Sequence, residues 1–168
     1  MTSCPECSYD YESLGRSQIT GAIASLAEEH RVLLGSVGGE RLRAHSRPAS
    51  WSALEYGCHV RDVLRFQRDR VTLAQAEDTP EFASMRRDER AIDERYNEQD
   101  PLAVASELAA AAIQLAVTLD QLDDAGWLRT AGYPWPTRQV RTVEWVGRRT
   151  AHELAHHLFD ERRLLGSA

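Results

Sequence analysis

Near the end of this chain, His152-Glu153-Leu154-Ala155-His156 lies in a segment that reads as helix. Four residues advance a helix by about 400° and ~6 Å, so both imidazoles leave one face and can bind one metal ion. The string also fits H-E-x-x-H, whose glutamate is the general base of zinc peptidases. That reading needs a third ligand beyond His156. Too few residues follow for a thermolysin-like glutamate, and Phe159 and Arg162 stand where the metzincin extension needs glycine and histidine. The third ligand is therefore expected upstream.

His59 is the candidate. It shares a helical face with Val63 and Phe66, and Glu55 and Asp62 lie at i−4 and i+3. Those carboxylates can orient His59 as outer acceptors, or serve as a cap and a surface ion pair. Three neutral imidazoles, His59, His152 and His156, would give a catalytic-type site with a position open to water or substrate. On a wheel of ~100° per residue, Trp145 and Phe159 fall beside His152 and His156, which places the pair at the edge of an apolar arc. His157 then points among Arg149, Glu153 and Asp160 and is expected to be solvated, and His30 reads as core. Histidines that are only half-buried and hydrogen-bonded are the plain alternative.

Cys4, Cys7 and Cys58 make an odd count and no disulfide framework. Cys4-Pro5-Glu6-Cys7 has metal-knuckle spacing but no second C-x-x-C to complete a four-cysteine site. It reads as an ordinary tail, a second metal site or a redox pair.

These residues need elements to hold them. The 168 residues suit one domain, and four long helical segments stand out, with no convincing strand. The first runs from about Ser17 to Val37. The second starts near Ser52, where Ser52-Ala53-Leu54-Glu55 has capping-box form and Trp51 and Tyr56 can staple it, and reaches about Ala76. A short helix is expected around Asp88 to Tyr96. Asp100-Pro101 starts the third long helix, and the fourth runs from about Val140 to Leu165. The fold expected is an all-α four-helix bundle over 17–168, preceded by a tail over 1–16. The loops after helices two and three are long, so at least one should cross an end of the bundle.

Net charge is −6, and arginines mix with acids (Arg86-Arg87-Asp88-Glu89-Arg90), so no basic stripe supports a nucleic-acid partner. Apolar runs read as too short to span a bilayer, and Met1 to Asp10 carries no signal-peptide pattern. A cytoplasmic protein with no membrane partner is expected.

One histidine in helix two, within Trp51-Ser52-Ala53-Leu54-Glu55-Tyr56-Gly57-Cys58-His59, and His152-Glu153-Leu154-Ala155-His156-His157-Leu158-Phe159-Asp160 in helix four resemble the DinB-like superfamily. The Cys-x-x-Cys tail, Tyr96-Asn97-Glu98-Gln99-Asp100-Pro101 and the His-His-x-x-Asp ending look particularly like its actinobacterial branch. The resemblance covers nearly the whole chain. It implies a divalent cation, zinc first and nickel second, on His59, His152 and His156. It also implies mycothiol as co-substrate, because characterised members include bacillithiol and mycothiol S-transferases and a mycothiol-dependent maleylpyruvate isomerase. That isomerase has a glutamate among its three ligands where this sequence offers His152, which favours the transferase branch. The expected function is activation of a small thiol for transfer to an electrophile. Arg148, Arg149, Tyr96 and the Trp127 to Arg138 loop could meet the polar co-substrate. Two other readings stay open. One is a hydrolase or isomerase with Glu153 as catalytic base. The other is a non-enzymatic metal or small-molecule module, for which a homodimer would be suitable.

Overall fold

The computed structural model describes residues 3–11, 13–134 and 137–166. Four long helices form the bundle: α1 (Ile19–Ser36), α3 (Ala53–Ala76), α5 (Pro101–Asp120) and α7 (Val143–Leu165). Short helices α2 (Gly39–Arg43), α4 (Arg87–Asp93) and α6 (Asp124–Leu128) lie in the connections. Each of α1 and α3 packs against both α5 and α7, so α1 is diagonal to α3 and α5 is diagonal to α7. Both the first and the third connections therefore cross an end of the bundle, which explains the length of the loop after α5.

Local chemistry sets where the long helices start. The Ser52 hydroxyl accepts the Glu55 N–H at 3.2 Å while the Glu55 carboxylate accepts the Ser52 N–H at 2.7 Å, completing the expected capping box. The rings of Trp51 and Tyr56 lie 5.4 Å apart across that start. Asp100 caps α5 through the Ala103 N–H with Pro101 in the first turn, and Thr142 caps α7 through the Trp145 N–H. At the far end of α7 the chain turns out at Gly166, whose φ of 69° lies in the left-handed region.

Ile19, Ile23, Ala27, His30 and Leu34 form the buried stripe of α1, and Val104, Leu108, Leu115 and Leu119 that of α5. His30 is core as expected, fully buried, with Nδ1 2.8 Å from Glu161 Oε2 and Nε2 2.9 Å from the Leu154 carbonyl oxygen. Cys58 is also core. Burial pushes its thiol up to about 12, which removes it from nucleophilic or ligand chemistry.

Two features depart from the sequence expectations. An antiparallel ribbon joins β1 (Thr130–Tyr133) to β2 (Gln139–Thr142), in register from Thr130 with Thr142 to Tyr133 with Gln139. Four-residue strands are too short to show an alternation, and the first holds a glycine that accepts the Phe82 N–H from the loop after α3. In addition, α5 is long and apolar enough, by length and composition alone, to cross a membrane. In the bundle its Val104, Leu108, Leu115 and Leu119 side is buried, while Leu102, Ile113 and Val117 are exposed.

Candidate metal centre

His59 projects from α3 and is 3% exposed, against Glu153 and His157 one turn apart on α7. One donor atom from each lies within 4.8 Å of the other two. The His59 and His157 rings are 4.9 Å apart, and Trp51 covers His59 at 5.1 Å. Two nitrogens here, His59 Nδ1 and His157 Nε2, are buried without a hydrogen-bond partner. Nearly all buried polar atoms have partners, so the unpartnered His59 Nδ1, with His157 Nε2 meeting only Glu153 at 3.4 Å, fits a metal-binding donor set.

The electrostatics agree. Burial, and then the charge on His157, drives His59 down to about 3, so its ring is neutral, which is the ligating form. Burial also opposes charge on His157, yet the Asp160 and Glu153 carboxylates outweigh it and raise the group to about 9. Glu153 behaves in mirror image. Burial alone would raise it, but His157 and Arg149 hold it well below the usual carboxylate range. In the metal-free protein a proton on His157 offsets the buried Glu153 charge, a task a divalent cation performs equally. Asp160 Oδ2 sits 3.2 Å from His157 Nδ1, which fixes the tautomer and leaves Nε2 toward Glu153 at 3.4 Å.

The other pair of α7 histidines faces elsewhere. His152 and His156 meet Cys4 and Cys7 of the N-terminal segment, again with one donor atom each inside 4.8 Å. Cys4 Sγ is 3.7 Å from His156 Nδ1. The rings of Tyr9 and Tyr11 flank His152 at 5.3 and 4.7 Å, and Arg149 donates to its Nδ1 at 2.8 Å.

The expected trio of His59, His152 and His156 is thus divided between two groups, and His157, expected in solvent, is 5% exposed and stands with His59. The reason is the rotation of α7. With His152 at zero, Gly147, Leu154, Leu158 and Leu165 fall at ~200–240°, and these pack against the bundle. Trp145 and Phe159, used to orient the wheel, are only partly buried. His157 at ~140° flanks the true core face, whereas His152 and His156 lie opposite it. The signal available was Glu153-x-x-x-His157, with the same i, i+4 spacing as the pair that drew attention.

Glu55 and Asp62 are engaged away from His59. Glu55 completes the α3 cap and lies 3.6 Å from His45. Asp62 accepts from Tyr96 Oη at 2.6 Å and Arg61 Nε at 2.8 Å. Tyr96 is fully buried, so it is removed from the substrate candidates, and Arg148 pairs with Glu144. Trp127 is buried, Arg138 pairs with Glu81, and Trp135 lies outside the described residues.

A cavity of about 420 Å³ opens over His59 and Glu153, with Arg70, Arg86, Arg149 and Tyr133 among its walls. Arg70 is stacked 4.9 Å from the Tyr133 ring centre and 5.5 Å from that of Phe82, and donates to the Ala83 carbonyl. Arg149 pairs with Glu153. The cavity is small-molecule sized and lined by arginines together with Asp88, Glu89 and Glu153.

The family profile described as the DinB superfamily matches residues 22–159. A search of curated proteins finds no match. Among solved structures, YfiT from Bacillus subtilis, described as a probable metal-dependent hydrolase with an unusual four-helix bundle topology, superposes with a TM-score of 0.79 at 17% identity. That alignment covers 94% of this chain and 93% of YfiT. A mycothiol-dependent maleylpyruvate isomerase superposes with a TM-score of 0.73 at 15% identity, over 95% of this chain and 63% of the isomerase. At such identities the likeness is one of fold.

Proposed function

Because this chain belongs to the DinB superfamily, we propose that it is a metal-dependent enzyme whose cation is held by His59, Glu153 and His157. We propose further that it activates a low-molecular-weight thiol, mycothiol, for transfer to an electrophilic small molecule. The observation that carries the reading is the convergence of two buried imidazoles and a carboxylate, His59 Nδ1 having no hydrogen-bond partner, beside a cavity lined by His59 and Glu153. Two nitrogens and one oxygen suit zinc, and imidazole also suits nickel. When bound, the cation supplies the charge that keeps a thiol deprotonated near neutral pH, against an ordinary pKa of about 8.5.

The rest falls to the chain. Asp160 orients His157 through Nδ1, and Glu153 offsets part of the cation's charge. Arg86, which faces Glu89 at 3.5 Å, lines the cavity, while Arg70 supplies fixed positive charge within a wall of aromatic rings. Val63 and Phe66 line the same cavity and limit water near the reacting sulfur.

A second reading has its own support. With Glu153 rather than His152 among the donors, this chain no longer differs from a glutamate-bearing isomerase in the way its sequence suggests. An isomerase or hydrolase in the same cavity then competes with the transferase. One experiment separates them. Zinc-loaded protein is incubated with mycothiol and a bimane electrophile, in parallel with mycothiol and maleylpyruvate, and both rates are followed in wild type and His157→Ala. A metal-dependent conjugation rate, lost at least tenfold in the variant, supports transfer. Isomerisation without conjugation supports the second reading, and unchanged metal content in His157→Ala overturns the site.

A further inference from the structure

We propose that Cys4, Cys7, His152 and His156 form a second, closed metal site, a Cys2His2 zinc centre that clasps the N-terminal hairpin to α7. None of these four residues is a donor in the His59 group, so the site does not depend on the proposed function. Two sulfurs and two imidazoles within 4.8 Å of one another are the donor set of structural zinc sites, and four protein ligands leave no position for substrate.

The hairpin is shaped for the task. Cys4 donates its N–H to the Tyr9 carbonyl at 2.8 Å and accepts the Ser8 N–H at 2.9 Å, so Cys4-Pro5-Glu6-Cys7 curls into a tight turn. Ser8 holds a φ of 60° to close it. Both cysteines are free thiols in the structure. A redox couple would need only the two sulfurs, and would not account for two imidazoles converging on them.

The histidines have the surroundings of ligands. His156 presents Nδ1 to Cys4 while Nε2 faces Glu6 at 3.4 Å and Asp160 at 3.6 Å, so carboxylates stand on the outer side of the ring. Arg149 donates to His152 Nδ1 at 2.8 Å. Core packing does not explain the pair either, since both lie opposite the side of α7 that packs into the bundle. The hairpin bridges Ser3 to Asp10 and packs Tyr9 against the core, and metal binding would add free energy to that docking.

The test is cobalt substitution in a non-thiol reductant, read by elemental analysis and by the sulfur-to-cobalt charge-transfer band. The His59 group contains no sulfur, so only the hairpin site can produce the band. Wild type is expected to take up near two equivalents and to show the band. His59→Ala should keep the band and lose one equivalent, and Cys4→Ser/Cys7→Ser should lose the band and keep the other equivalent. Wild type without the band overturns the proposal even if the double variant does not fold. An unchanged band and metal content in His152→Ala/His156→Ala would also overturn it, because the cysteines would then bind without the histidines.

Discussion

Asp160 is where the two donor groups meet. Its Oδ2 lies 3.2 Å from His157 Nδ1 and 3.6 Å from His156 Nε2, and Oδ1 accepts from Arg163 at 3.0 Å. One carboxylate thus stands beside a histidine of each group, hydrogen-bonded to His157 and within ion-pair range of His156. His156, His157 and Asp160 also qualify by distance as a metal cluster of their own. Using those atoms would turn His157 Nδ1 to the ion and leave its buried Nε2 without a partner, so the outer-acceptor role accounts for more. Asp160→Asn keeps the shape and removes the charge. Losing such an outer partner costs metal affinity roughly 10–100-fold. Competition against a chromophoric chelator should show that loss at both sites. A change confined to one site would assign Asp160 to that site alone, and no change would leave it as a partner of Arg163 only.

At the scale of elements, stability and legibility follow the same division between local and long-range causes. Ser52 illustrates the local side. Its hydroxyl accepts the Glu55 N–H and donates to Asn97 Oδ1 at 2.7 Å, and the residue is fully buried. Ser52→Ala removes a cap and strands an acceptor, a loss of about 1–3 kcal/mol, which should appear as a lower urea midpoint at unchanged slope. A midpoint that stays in place would mean that Glu55 and neighbouring groups hold the start of α3 unaided. Because such caps depend on neighbours in sequence, the helix starts at Ser52 and Asp100 are legible in the residue order alone. The rotation of α7 is not. It depends on which side of the helix is small enough to approach its neighbours. At Gly147, for instance, an added Cβ would stand 2.9 Å from Ile19 Cγ2. Large aromatics dominate a hydrophobic wheel, yet Trp145 and Phe159 sit at the periphery. An error of half a turn in that phase puts His152 and His156 on the face that Glu153 and His157 take beside His59, while His59 on the second long helix is legible as a candidate donor.

At the scale of the molecule, α7 carries three attachments around its circumference. Glu161 and the Leu154 carbonyl hold His30 of α1, Glu153 and His157 face His59 of α3, and His152 and His156 face the hairpin. The first is a buried hydrogen-bonded contact, and the other two are the proposed metal sites. Zinc in the hairpin site should therefore stabilise the whole bundle, because it binds the folded arrangement. A ligand at a thousand times its dissociation constant adds about 4 kcal/mol. For a chain of this length each kcal/mol moves the melting temperature roughly 2–4 °C, so the expected shift is ~8–16 °C. His59→Ala is the background to use, since it leaves the hairpin site as the sole proposed centre. Its melting temperature with saturating zinc should exceed that with chelator by this amount, and the difference should vanish when Cys4→Ser/Cys7→Ser is added. If His59→Ala binds zinc and melts at the same temperature with or without it, the hairpin closes on metal without bracing the bundle. Rotation of α7, and with it the placement of Glu153 and His157, would then rest on its contacts with α1, α3, α6 and β2.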